Sequence, residues 1–176
     1  MDTRKRIVDT ASRLFYTQGY NSTGINQIIK EAEVAKASLY ENFRSKEDLL
    51  VEYLQLTLAN TLDALRSIAD KQKTPRKKIM GLFDFLPAYA TQTEFYGCNF
   101  LNIASEIPKE NKKVRAIVQK QKNGIRTLFA EILQPLGKED LADELYLLFD
   151  AGLMSCKVYN DTWPAKTARK IVEKLV

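Results

Sequence analysis

Apolar residues recur at helical spacing from one end of the chain to the other, and no stretch alternates apolar with polar residues at period two. A chain so patterned offers no half-buried strands for a sheet. Its core has to come from helices packed on helices. Ile7, Ala11, Leu14 and Phe15, at i, i+4, i+7 and i+8, set the first apolar stripe. Composition agrees: Gly (7) and Pro (5) are scarce among 176 residues, at roughly half the usual share. The predicted fold class is all-α.

Local signals divide that helical chain. The first helix is predicted over Thr3 to Gly19, with the glycine as its stop. Asn21-Ser22-Thr23 offers cap chemistry for a second over Ile25 to Ala32, with Ile25, Ile28 and Ile29 inward. A break at Glu33-Val34-Ala35 precedes a third over Lys36 to Asn42. Ser45 with Asp48 reads as a capping box opening a fourth helix to about Ala69, roughly 35 Å long and able to join two domains. Further helices are predicted over Pro75 to Thr91, Cys98 to Glu106, from Pro108 to Leu133, Lys138 to Tyr159, and from Pro164 onward. The domain prediction is a three-helix head (1–46) and a helical body (47–176).

The chain has no histidine. That excludes a Ser-His-Asp or Cys-His relay, imidazole-based zinc and Glu-x-x-His metal pairs. Glu139, Asp140, Asp143 and Glu144 then read as a solvated face. No catalytic residue, metal or cofactor is assigned, and the chain is not expected to be an enzyme. No apolar run is long enough to span a membrane, and the charged start lacks the apolar stretch of an export signal. Cys98 and Cys156 lack C-x-x-C spacing and are expected to be reduced thiols of a cytoplasmic protein. Cys98, near a helix start, reads either as a buried packing residue or as a sensor of oxidants or electrophiles. A net charge of +5 permits a nucleic-acid partner without requiring one.

Two short helices joined by a tight turn are the helix-turn-helix plan, whose second member lies in the DNA major groove. Lys36, Ala37, Ser38, Tyr40 and Glu41 suit such a surface: short side chains near the helix start, then a cation and a phenol. Lys46, at the start of the fourth helix, stands where a phosphate could be held. Residues 1–50 carry eight Lys/Arg against seven Asp/Glu. Attraction to DNA must therefore come from local placement of Arg4, Lys5, Arg6, Lys36, Arg44 and Lys46.

The stretch from Thr3 to Leu50, with Leu14-Phe15, Gly19-Tyr20, Thr23, Ile28, Ala32, Val34, Lys36, Ser38-Leu39-Tyr40, Phe43 and Ser45-Lys46-Glu47 at fixed spacing, resembles the DNA-binding head of the TetR (tetracycline-repressor-like) regulators. "YGCNFLNIASEI" is similar to effector domains of some members. The resemblance implies a repressor that binds a palindromic operator as a homodimer and is released by a small-molecule effector. It implies base contacts from Lys36 and Ala37 and phosphate contacts from Thr23, Tyr40, Asn42 and Lys46. The sequence departs from the family pattern at Gly24, where a hydroxyl is frequent, at Glu33 and Ala37 in place of glycines, and at Ala35 in place of a capping serine.

In the body, Phe83, Tyr89, Tyr96, Phe100, Asn102, Phe129, Tyr146 and Phe149 are the candidates for an effector pocket, few charges among them favouring a neutral or mildly polar organic ligand. The helix over Lys138 to Tyr159 is apolar on more than one side, so one flank can face a second copy. Leu148, Ala151, Gly152, Ser155, Ile171 and Leu175 are the expected dimer contacts. Two alternatives remain at this stage: a DNA-binding factor without an effector, and a bundle enzyme.

Overall fold

A computed structural model describes residues 2–176; Met1 lies outside the described residues. The described residues form nine α-helices and no strand. These are α1 (Thr3–Thr17), α2 (Ile25–Glu31), α3 (Lys36–Asn42), α4 (Lys46–Asp70), α5 (Pro75–Ala90), α6 (Asn99–Glu106), α7 (Lys112–Leu133), α8 (Ala142–Tyr159) and α9 (Trp163–Leu175). The all-α expectation holds. The chain divides into two units, one of residues 1–59 with 99–118, the other of 60–98 with 119–176.

Caps explain most boundaries. Asp2 accepts from the Arg4 amide at 3.1 Å and starts α1. Ser45 Oγ accepts from the Asp48 amide at 3.1 Å, the bond the sequence suggested for α4. Thr74 caps α5 with Pro75 in the first turn, and Pro164 sits in the first turn of α9. Three expectations are corrected. No side-chain bond caps α2: its N-cap is Gly24, because the Thr23 hydroxyl turns inward and donates to the Gly19 carbonyl at 2.7 Å. Pro108 does not open α7, because the Asn111 side chain caps it by accepting from the Val114 amide at 3.0 Å. Residues Glu139–Leu141 form a separate 3₁₀ turn ahead of α8.

In the first unit, Ile7, Ala11, Leu14 and Phe15 of α1 are buried, as their spacing requires, together with Ile28, Leu39, Phe43, Leu49 and Leu50. Of the three isoleucines of α2 only Ile28 is fully buried, which suits a helix of two turns with one face on α1. In the second unit α5, α8 and α9 pack closely. A Cβ at Gly152 would come 3.2 Å from Ala168 Cβ, so this glycine lets α8 approach α9 of its own chain. Arg169 bonds to Asp84 and ties α9 to α5.

The α2–α3 turn carries a local cost. Glu33 has φ 53°, the left-handed region that an L side chain occupies at about 1 kcal/mol. Ala35 is the N-cap of α3 and makes no side-chain capping bond. Glu33→Gly is expected to raise stability by about 1 kcal/mol, and Ala35→Ser by about 0.5–2 kcal/mol. Thermal melts of the two variants check both values; no upward shift in either would show that the turn is not strained in this way.

Candidate nucleic-acid interface

Seven residues make α3, and one of them, Leu39, is fully buried. Leu39 and the following Phe43, 4% exposed, hold the helix on the head from below. Lys36, Ala37, Tyr40, Glu41 and Asn42 remain exposed on its outer side, with Ser38 half-buried. Tyr40 is 46% exposed, a large ring left in water. The Asn42 amide donates to the Ser38 carbonyl at 2.8 Å and closes the last turn. The surface thus gathers a cation, a methyl, a hydroxyl and a phenol on one short rod. That set can pair with base edges, a thymine methyl and phosphate oxygens.

Two residues expected at phosphates make bonds within the head, Thr23 buried and Lys46 half-buried. Thr23 is fully buried; its hydroxyl donates to Gly19 and receives the Gln18 amide at 3.1 Å. Lys46 Nζ donates to the carbonyls of Tyr20 and Thr23, both at 3.0 Å, and lies 4.2 Å from the Tyr20 ring centre. Burial lowers the Lys46 ammonium from its ordinary value, with the nearby Glu106 carboxylate opposing. Burial likewise raises the Tyr20 phenol, with Glu47 adding. Arg4 pairs with Glu52 at 2.9 Å and lies 5.0 Å over the Phe43 ring, which follows α3. Lys5 pairs with Asp9 at 2.6 Å.

A residue with no assigned role in the sequence reading joins this region. Glu106, the last residue of α6, accepts the Asn21 amide on Oε2 at 2.7 Å, and its carbonyl accepts the Asn21 side chain at 3.0 Å. Gly19, with φ 96°, passes so near that a Cβ there would lie 3.0 Å from Glu106 Oε1. The α1–α2 loop is therefore held by α6 on one side and by Lys46 on the other. Only the 85-residue separation kept Glu106 from view. Glu106→Ala is expected to remove about 1 kcal/mol of local protection, or roughly fivefold faster hydrogen exchange at the Asn21 amide. Unchanged exchange there would mean that the loop holds its shape without α6.

The body candidates fall into separate groups. Phe83, Phe129 and Phe149 pack on one another with ring centres 5.6–6.0 Å apart, and all three are buried. Tyr89 stacks on Phe85 and meets Phe95 edge-on. Tyr96 is exposed. Tyr146 is half-buried beside Asp150; burial first, then Asp150, raises its phenol. Phe100 and Asn102 stand on α6 in the other unit, Phe100 buried and Asn102 half-buried. Of the expected dimer residues, Ala151 and Ile171 are exposed, Leu148, Ser155 and Leu175 half-buried, and Gly152 is buried against α9. Leu147, Val158, Tyr159 and Trp163 are exposed large apolar side chains on or beside the same two helices. Among the described residues no helix is long and apolar enough to cross a membrane.

Comparison with known proteins follows the same outline. The sequence pattern of the bacterial regulatory proteins, tetR family, matches residues 7–53. The chain is 31% identical over 170 residues to YxaF of Bacillus subtilis, described as an uncharacterized HTH-type transcriptional regulator, covering 93% of this chain and 89% of that one. The crystal structure of SCO4454, a TetR-family regulator from Streptomyces coelicolor, superposes with a TM-score of 0.92 at 24% identity, over 98% of this chain and 87% of that one. The reduced form of Escherichia coli NemR superposes with a TM-score of 0.90 at 22% identity, over 99% and 96%.

Proposed function

The chain belongs to the tetR family of bacterial regulatory proteins, a helix-turn-helix transcriptional regulator, and from that premise we propose that it represses transcription by binding a palindromic operator as a homodimer and is released by a small organic effector. The observation that carries the proposal is the open outer side of α3, with Lys36 and Tyr40 exposed while Leu39 and Phe43 anchor the helix. Lys36, Ala37, Ser38, Tyr40 and Asn42 meet the DNA. Thr23 and Lys46 act one step back, by fixing the α1–α2 loop that carries α2 into α3. The dimer forms through the exposed apolar face of α8 and α9, with Leu147, Ala151, Val158, Trp163 and Ile171 at its centre. Leu148, Ser155 and Leu175 flank it, while Gly152 supports it by letting α9 lie close.

Two such heads read successive major grooves only if their recognition helices stand about 34–36 Å apart. An effector that displaces α6 or α4 in the body changes that spacing, and a coupling of about 1–3 kcal/mol shifts operator affinity 5–150-fold. Within the second unit, Phe83, Tyr89, Tyr96, Phe129, Tyr146 and Phe149 are the side chains proposed to meet the effector. Selection of bound duplexes from a random pool tests the DNA reading. Enrichment of an inverted repeat with two half-sites is expected, and retention without sequence preference would overturn it. Loss of retention on adding a metabolite extract to the selected duplex is the matching result for the effector.

A further inference from the structure

The buried polar and charged residues among the described residues are Thr23, Gln121, Lys122 and Asp150. Three of them bond within the protein: Thr23 donates to the Gly19 carbonyl, and Lys122 donates to Asp150 Oδ1 at 3.0 Å. Gln121 differs. It is 2% exposed, and its side-chain oxygen Oε1 accepts no hydrogen bond from any described residue. Val114, Val118, Ile125, Leu128 and Ile132 are buried along one face of α7. Gln121 continues their stripe, at alternating steps of four and three residues, where a leucine would complete it. An amide buried there without a partner costs free energy, because its bonds to water in the unfolded chain are not replaced. A bound molecule that supplies the partner offsets that cost.

We propose that Gln121 is the polar anchor of a ligand site in the second unit, and that the ligand is an uncharged, mainly apolar organic molecule that donates an N–H or O–H to Gln121 Oε1. The oxygen selects the donor. A carboxamide oxygen accepts hydrogen bonds without carrying a full charge, so it recognises a donor without calling for a cation. The neighbouring charges select neutrality. Lys122, the next residue along α7, is already matched by Asp150. An ion brought beside them would lose its hydration and find that lysine's charge already balanced. The stripe selects the remainder of the ligand, because Ile125 and Leu128, one and two turns beyond Gln121, are apolar.

The close neighbour on one side of this position is a side chain that can turn. Gly124, one turn beyond Gln121, lies so near α4 that a Cβ there would come 2.7 Å from Leu62 Cδ1. Leu62 is half-buried, and rotation about its side-chain torsions moves its methyl groups without moving backbone. Farther along α7, Phe129 packs against Phe83 and Phe149, three of the aromatic side chains assigned to the effector above. Gln121 adds to them a hydrogen-bonding point that the aromatic rings lack. That this ligand is the effector rests on the reading above, whereas the bond between a donor and Gln121 does not.

The test is an NMR titration of the nitrogen-labelled full chain with two matched probe pairs, phenol against anisole and acetanilide against N-methylacetanilide. The members of each pair differ in having or lacking the donor hydrogen. The Gln121 side-chain amide signal is identified by its absence from Gln121→Met. Phenol and acetanilide are expected to shift that signal and to bind at least about tenfold more tightly than their methylated partners, a difference of about 1.4 kcal/mol. Gln121→Met should bind the two members of each pair alike. It and Gln121→Leu should both melt higher than wild type, because an unpaired amide has left the core. Equal binding of both members by wild type, discrimination that survives in Gln121→Met, or a Gln121 signal unmoved by all four probes would overturn the proposal. Lower melting of both variants would overturn it too, by showing that the amide is paired within the protein. Retention on the selected duplex is read separately. A probe that shifts Gln121 without releasing DNA sustains the site and removes the effector reading; release by a probe that leaves Gln121 unmoved does the reverse.

Discussion

Lys36→Ala with Tyr40→Ala is expected to abolish sequence-selective retention on the selected palindrome while leaving the helical fold intact. Both side chains stand on the open side of α3, and neither contributes to the head core formed by Leu39 and Phe43. Truncating them should therefore cost binding without costing stability. A direct DNA contact is worth about 1–3 kcal/mol, and a two-fold axis repeats each loss, so the proposed dimer should bind the operator about 1000-fold more weakly or worse. The salt dependence separates the two roles. Losing a phosphate contact lowers the slope of affinity against salt by about one per site; losing a base contact relaxes preference at one position. Titration of the labelled duplex at several salt concentrations reads both. Unaltered affinity and slope in the double variant would remove α3 as the recognition element.

Leu147→Glu with Val158→Glu should convert the proposed dimer to monomers. Leu147 is 63% exposed and Val158 76% exposed in the single chain, on the outer side of α8. Burying a large apolar side chain contributes about 1.5–3 kcal/mol, and a two-fold interface counts each residue twice. Glutamates there remove that gain and bring like charges together across the axis. Sedimentation velocity should show half the wild-type mass, and affinity for the full palindrome should drop toward that for one half-site. A variant that still sediments as a dimer would place the interface elsewhere. Gly152 supplies the contrast: a larger residue there strikes Ala168 and damages the monomer itself rather than the interface.

The degree to which sequence foretold structure differs residue by residue. Ser45 and Pro75 were legible as helix starts because a cap bond and a first-turn proline act within a few residues and depend on nothing farther away. Glu33 was legible as standing in place of a glycine, and the structure adds its positive φ, which the turn between α2 and α3 imposes locally. The cap expected from Asn21-Ser22-Thr23 and the helix start expected at Pro108 misled for a related reason. Each lies beside a competing partner, Thr23 turning to Gly19 and Asn111 turning to Val114, and the competition is settled by packing.

The order of helices, the apolar stripes and the exposed face of α3 were determined by the sequence alone, because periodicity and capping act within a few residues. Which polar groups meet was decided only by tertiary structure. Lys46 reaches back to Tyr20 and Thr23, Glu106 closes on Asn21, and Lys122 finds both Asp150 and Cys98. Those partners lie 23 to 85 residues apart in the chain. A lysine or glutamate has the same local pattern whether it faces water or a buried partner, and the packing of whole helices selects between the two.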